Sequence, residues 1–365
     1  MGEPGPGRRN GKSDAARLLL AAARERFAVA ATDLLLPDQA RLTEWQRLTA
    51  AGLLSRLVHA IEDDLRARLA RRFADHESLH AALSSAHVPI ALPILERASA
   101  LRDAELMMVL VRRVEEHRFW KARAGEFEEE LLFELVRDAD EGIAADAMAL
   151  IIARSRRFDR FQEPTMARVE LPADLQHRLV WLIAAALRQY VVQQHLIASV
   201  DAAVEESAAA VIAGYDEGES LEALAMQLAR RLHRAGRLDG GALGRIIGDG
   251  ILPFFIAGIA VLCGLDSVAA WEVLSDPRGR GPALLLRAAG VDRDSAASVF
   301  LGLNVRGPLF SGAEGDAAAA QLELFDTIDE GSAREVLRLW QAHPAYRASV
   351  ARISTRARGS AAEAA

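Results

Sequence analysis

The chain has 365 residues, 51% of them apolar and 26% charged, with a formal net charge of -7. Enough apolar surface is available for roughly two or three domains or one extended array, which excludes a disordered or collagen-like polypeptide. Residues 1–75 hold 13 basic and 10 acidic side chains and residues 334–365 hold 6 and 2, so the acidic excess is central and argues against nucleic acid as the main ligand.

Lysine occurs only at Lys12 and Lys121, and arginine carries the remaining positive charge. With alanine so abundant, that preference reads as the composition of a GC-rich bacterial genome. Cys263 is the single cysteine and lies within the apolar run Ile251–Leu265, so it reads as a buried, reduced thiol and no disulfide framework exists. The run is short of the roughly 20 residues that span a bilayer and is broken by Pro253 and Gly258, which makes it a buried core helix. No signal-peptide pattern opens the chain, and the cytoplasm is the expected compartment.

In chain order, residues 1–12 read as a disordered tail. Ser13 and Asp14 offer an N-cap to a helix that Pro37 ends. Thr43 caps a second, long helix with Leu48, Leu53, Leu54, Leu57, Ile61, Leu65 and Leu69 on one face. The two make an N-terminal long-helix hairpin over residues 13–74. Glu62, Asp63, Asp64, Arg66 and Arg68 read as charge pairs decorating its solvated face.

From Asp75 to Leu303 the elements shorten, with stops at Pro89, Pro93, Asp103, Gly125, Gly142, Pro164, Pro172, Gly214–Gly218, Gly236–Gly241, Gly248–Gly250, Asp276–Pro282 and Gly290. Helices of that length cannot bury their apolar faces singly, and stacked pairs can. The expected fold is therefore all-α, an array of short antiparallel helices of α-solenoid or HEAT-like character, although no fixed repeat period is visible. Residues 304–319 read as a linker and 320–365 as C-terminal helices running into a flexible tail.

Several strings within that array carry a resemblance: Pro89-Ile-Ala-Leu-Pro-Ile-Leu95; Asp103-Ala-Glu-Leu106; Leu171-Pro-Ala-Asp-Leu175 with the helix to Tyr190; Phe254 to Leu265; and Asp276-Pro-Arg-Gly-Arg-Gly281 leading to Ala288-Ala-Gly290. From about Ser78 to Leu303 the chain resembles a bacterial family known as domain of unknown function 2336. The resemblance implies an all-helical, repeat-like fold and brings no catalytic residues with it.

Candidate chemistry is sparse. His76-Glu77-Ser78-Leu79-His80 matches the H-E-x-x-H string in which two histidines one turn apart hold zinc and the glutamate activates water. Asp75 as N-cap would place His76 on the first, exposed turn, where the helix dipole opposes a cation. No third ligand follows at the short spacing used by metzincins. Asp174 and His177 echo Glu77 and His80 only weakly as half of a di-metal site. Glu126, Glu128, Glu129 and Glu130 read as dipole complementation at a helix start. Arg278-Gly-Arg280-Gly form a glycine-rich turn that resembles an anion nest but has no strand before it, and Gly248-Asp-Gly250 fails on the same ground. Trp45, Trp120, Trp181 and Trp271 read as core or groove-lining residues.

No catalytic, cofactor-binding or metal residue is assigned, and no cofactor is expected. The expected role is a non-catalytic module that binds a protein partner, with no nucleic acid and no membrane span. The alternative is a zinc-dependent hydrolase using His76, Glu77 and His80.

Overall fold

A short helix ends before it has satisfied its own backbone: four N–H groups at one end and four C=O groups at the other need partners from elsewhere. The architecture follows from where those partners come from. The computed structural model describes residues 42–85, 88–123, 130–195, 197, 200–276, 279–304, 317–343, 345–347, 349–350 and 353. Among them, helix is the dominant structure, as expected, and the only β pairing is an isolated antiparallel bridge between Phe158 and Pro164. The first helix of the expected hairpin and most of the 304–319 linker lie outside the described residues.

The chain divides into two units, one built from residues 42–114 and 152–223 (unit I), the other including 115–151 and 224 onward (unit II). The helices of unit I include α1 (Glu44–Arg72), α2 (Glu77–Ser84), α3 (Ala91–Arg97), α4 (Ala104–Arg123, to residue 114), α7 (Ala173–His195) and α8 (Asp201–Ala213). Helix α1 starts on a complete capping box: Thr43 Oγ1 accepts from Gln46 N at 3.2 Å and Gln46 Oε1 accepts from Thr43 N at 2.7 Å. Leu53, Leu57, Ile61, Leu65 and Leu69 then bury one face completely, and α2, α3, α7 and α8 all pack on this helix. Leu48 departs from the expected stripe and is 65% exposed, because two residues of helix, about 200° of rotation, separate it from Ala50.

Two charged residues of α1 depart further. Glu62 and Arg66 are buried, at 0% and 4% exposure, and not on a solvated face. Arg66 donates from Nε to Leu83 O (2.9 Å), from Nη1 to Val88 O (2.9 Å) and Glu62 Oε1 (3.2 Å), and from Nη2 to Ala82 O (2.9 Å) and Ser85 O. Glu62 in turn accepts from Ile90 N (2.9 Å) and Ala91 N (3.0 Å). The arginine thus satisfies the carbonyl end of α2, and the glutamate satisfies the amide end of α3, each matching the helix dipole it faces. The sequence spacing that suggested a surface pair is the same spacing that lets both side chains reach past the leucine stripe.

Unit II contains α5 (Glu130–Val136), α6 (Glu141–Ser155, to residue 151), α9 (Leu221–Arg234, from residue 224), α10 (Gly240–Gly248), α11 (Leu252–Cys263), α12 (Ser267–Leu274), α13 (Gly281–Ala288), α14 (Arg293–Asn304), α15 (Ala317–Thr327) and α16 (Glu330–Leu337). The apolar run is the buried helix anticipated for it: Phe254, Phe255, Ile256 and Ile259 are inaccessible in α11, and Gly264, at φ 65°, turns the chain out of it. Cys263 is buried, its thiol donating to Leu285 O at 3.4 Å, and burial pushes it up to about 12. No single helix among the described residues is long and apolar enough to cross a membrane; α11 and α12 reach that length only as a pair bent by 102°.

Helix α13 occupies the centre of this unit and touches α11, α12, α14, α15 and α16. Its first residue, Gly281, lies so close to α12 that a Cβ would stand 1.8 Å from Val273 O, which no side chain can occupy. Arginine again closes helix ends here. Arg287 Nε donates to Ile328 O (2.7 Å) and Arg334 Nε to Ala288 O (3.1 Å). Arg347, 1% exposed, reaches Trp340 O (2.6 Å), Ala342 O (3.1 Å) and Asp266 Oδ2 (3.3 Å).

Removing Arg66 leaves Glu62 buried without its countercharge and the α2 carbonyls without donors. Arg66→Ala is expected to cost about 3–5 kcal/mol in urea unfolding of the full chain, whereas a solvated-face arginine would cost under about 0.5 kcal/mol.

Candidate functional site

In unit I, the chain between α6 and α7 does not run as a plain connection. Arg157 O accepts from Thr165 N at 2.9 Å, Phe158 pairs with Pro164, and Asp159 N donates to Glu163 O at 2.9 Å. The Asp159 carboxylate accepts from the amides of Phe161 (2.8 Å) and Glu163 (3.0 Å), which with the backbone bond to Glu163 leading holds it below the usual carboxylate range. Gln162 adopts φ 63°, a left-handed conformation that a non-glycine residue takes only when its surroundings fix it. The result is a tightly bonded loop with Phe161, 69% exposed, at its tip and the Arg160 guanidinium stacked 4.6 Å from that ring.

A buried charge cluster underlies the loop. Arg113, on α4, donates from Nε to Thr165 O (3.1 Å) and also to Arg157 O, and lies 5.4 Å from the Phe158 ring. Arg56 Nη2 donates to Pro164 O at 2.7 Å. Arg157 bridges two carboxylates, from Nε to Glu170 Oε1 (2.8 Å) and from Nη2 to Glu222 Oε1 (2.6 Å), and Arg112 stands 3.7 Å from Glu222. Glu170 comes from a 3-10 turn, Arg168–Glu170, whose Arg168 also pairs with Asp64 of α1 at 2.8 Å.

The two carboxylates differ. Burial works against ionisation of Glu222, but Arg157 and Arg112 outweigh it and bring the group down to about 2. For Glu170 burial prevails over Arg157, with Glu222 adding to it, and the carboxyl is raised. Tyr215 donates to Leu171 O beside them, and burial followed by the charges of Glu217 and Asp216 pushes its hydroxyl up to about 12. Glu170 Oε2 and Glu222 Oε2 are both buried and have no hydrogen-bond donor among the described residues.

The residues singled out in the sequence lie elsewhere. His76 is the N-cap of α2 in place of Asp75, and His76, Glu77 and His80 are all exposed. His76 rests edge-on against the Phe73 ring at 5.9 Å. No group of three or more His, Cys, Asp or Glu side chains suited to a metal forms among the described residues, and Asp174 and His177 join none; His177 packs against the Tyr215 ring at 6.5 Å. The fold does bring Ser78 Oγ to 3.4 Å from His195 Nδ1, which sequence spacing does not show, but His195 Nε2 is buried with no orienting carboxylate among the described residues.

Arg280 is engaged by Asp276 (Nε to Oδ2 2.9 Å) and not held open for an anion, while Arg278 lies outside the described residues. Asp249, between Gly248 and Gly250, accepts from Leu131 N at 2.9 Å and so caps α5. Glu126, Glu128 and Glu129 fall outside the described residues, as does the side chain of Glu130. Trp271 is buried at 2% exposure, Trp45 and Trp120 are half-buried, and Trp181 is 44% exposed.

Sequence reasoning passed over the residues of the cluster. Its one local signal is the pair Arg112-Arg113 set between Val111 and Val114 on a helix that otherwise buries this face.

These elements define an all-helical protein among its described residues. By its sequence the chain belongs to domain of unknown function 2336, described as an uncharacterised protein conserved in bacteria, whose model matches residues 90–338. No curated protein and no solved structure matches the chain.

Because Glu222 is held below its ordinary value, the stability it contributes is complete above the unfolded value of 4.5 and is lost as pH falls toward about 2. Glu222→Gln is expected to flatten this acid limb, measured as the urea midpoint between pH 5 and 2.5; an unchanged slope would remove Glu222 from the account.

Proposed function

We propose that the protein is a non-catalytic interaction module that docks a protein partner on the loop Phe158–Pro164. The observation that carries this reading is the tip itself. An aromatic ring with a stacked guanidinium is held 69% exposed by a loop whose polar backbone is already bonded and whose base is clasped by buried ions. A pre-bonded loop loses little entropy on association, and aromatic and arginine side chains dominate the energetics of protein interfaces. The frame is best described as hub-centred within each unit, on α1 and on α13, and this favours compact helical domains over an open HEAT-like solenoid as the support. The partner surface that suits the tip is an apolar pocket with a carboxylate at its rim, and the cytoplasm is the compartment in which we place the encounter.

The test places a benzoylphenylalanine crosslinker at position 161 of the full chain in its native host, with Arg71 as the control position. A discrete adduct with one protein is expected at 161 only. With that protein purified, Phe161→Ala is expected to weaken binding about 30-fold, or about 2 kcal/mol, and Arg160→Glu by at least as much. No adduct at 161, or the same adduct from position 71, contradicts the proposal.

A further inference from the structure

A helix at a protein surface ordinarily carries charge on the side that meets water, and a helix that is apolar all round is ordinarily covered all round. Helix α6 fits neither description. It runs without a break from Glu141 to Ser155, and between Glu141 and Arg154 its single charged residue is Asp146. That carboxylate points inward: Asp146 is buried and accepts from Gln227 Nε2 (2.7 Å) and Arg231 Nε (2.6 Å). Ile143, Ala147, Leu150 and Ala153 are also buried. The opposite side presents Ala145, Met148 (45% exposed), Ile152 (48% exposed) and Ser155 to solvent, with Ala144 and Ala149 half-buried at its margins.

The outward residues are spaced 3, 4 and 3 apart, which is the a/d register of a helix that pairs with another helix. The alanine margins let a second backbone come close. The two ends of the seam carry opposite charge. Asp140 and Glu141 are exposed at its amino end, and Arg156 is exposed just past its carboxyl end. Turned end for end, the surface is therefore complementary to itself: acid meets arginine at both ends, and the two helix dipoles run in opposite senses. We propose that α6 is a homodimer interface, in which a second copy of this chain lays its α6 antiparallel to the first about a two-fold axis. Met148 packs on Ile152 of the partner subunit, Ala145 packs on Ser155 of the partner subunit, and Glu141 reaches Arg156 of the partner subunit.

Across a two-fold axis every such contact occurs twice, so a short seam is doubled in effect. A single helix pair of about four turns buries on the order of 1,000 Å² in all, the small end of the range for specific association, which sets the dimer in the micromolar range. An uncharged seam between charged ends also explains why the outward face of α6 lacks the polar residues of an ordinary surface helix. The loop Phe158–Pro164 takes no part in the pairing, so self-association goes beyond the docking reading and does not rest on it.

The test is sedimentation equilibrium of the full-length chain over about 1–200 µM, where a monomer–dimer equilibrium is expected. Met148→Glu should raise the dissociation constant at least about 100-fold, since the symmetric dimer carries the substitution twice. Glu141→Arg sets arginine against arginine and should weaken the dimer about tenfold; adding Arg156→Glu restores the opposite-charge pairing and most of the association. That rescue is a result that damage to the fold does not give, and it decides the matter if Met148→Glu fails to fold. A wild type that stays monomeric across the range, a dimer that Met148→Glu leaves intact, or a double reversal no tighter than Glu141→Arg alone overturns the proposal. Sedimentation is read on the purified chain with no other protein present, so a failure of the crosslink at Phe161 and a failure of the dimer are separate results.

Discussion

The structure of unit I depends on one buried ion pair. The Glu62 and Arg66 side chains leave α1 one turn apart, and between them they make six hydrogen bonds to the backbone and one to each other, none of which an apolar residue can make. Short helices such as α2 and α3 have too few internal bonds to stand alone, so the carbonyls at 82, 83 and 85 and the amides at 90 and 91 must find partners inside the protein. A leucine stripe brings these helices to α1, and the ion pair fixes where each one ends. Desolvating two charges is costly, and it is offset here because each charge faces several backbone dipoles of the opposite sense.

Arginine meets backbone carbonyls or carboxylates at several further places. Arg113, Arg157 and Arg347, all buried, and the more exposed Arg287 and Arg334 each donate to backbone carbonyls or to a carboxylate. The five-donor planar fork suits this use, since a single Arg66 spans four carbonyls and a carboxylate, whereas an ammonium offers three donors from one point. Base composition alone therefore does not describe the scarcity of lysine. Buried arginine at helix ends is a structural material in this fold.

Much of the local structure was legible. Thr43 and Asp103 cap the helices they precede, the run through Phe254 is a buried helix, and Gly236, Gly250, Gly264 and Gly290 adopt the positive φ that ends helices. These signals act over a few residues, and the sequence displays them directly. The charge cluster was not legible, because Arg157 meets Glu170 at a separation of 13 residues and Glu222 at 65, and nothing local marks either carboxylate as buried. Glu62 and Arg66 were misread for a related reason: an i,i+4 pair looks the same whether its face meets water or the ends of two other helices. The H-E-x-x-H string failed in the opposite direction, being locally complete while the fold gathers no third ligand among the described residues.

The central claim is that Glu62 and Arg66 act together as a shared cap for α2 and α3. A double-mutant cycle with Glu62→Gln and Arg66→Met, followed by urea unfolding of the full chain, tests it most directly. The account predicts a coupling energy of about 2–3 kcal/mol, since each variant alone strands the other's charge. Additivity within about 0.5 kcal/mol would show two independent side chains and contradict the account.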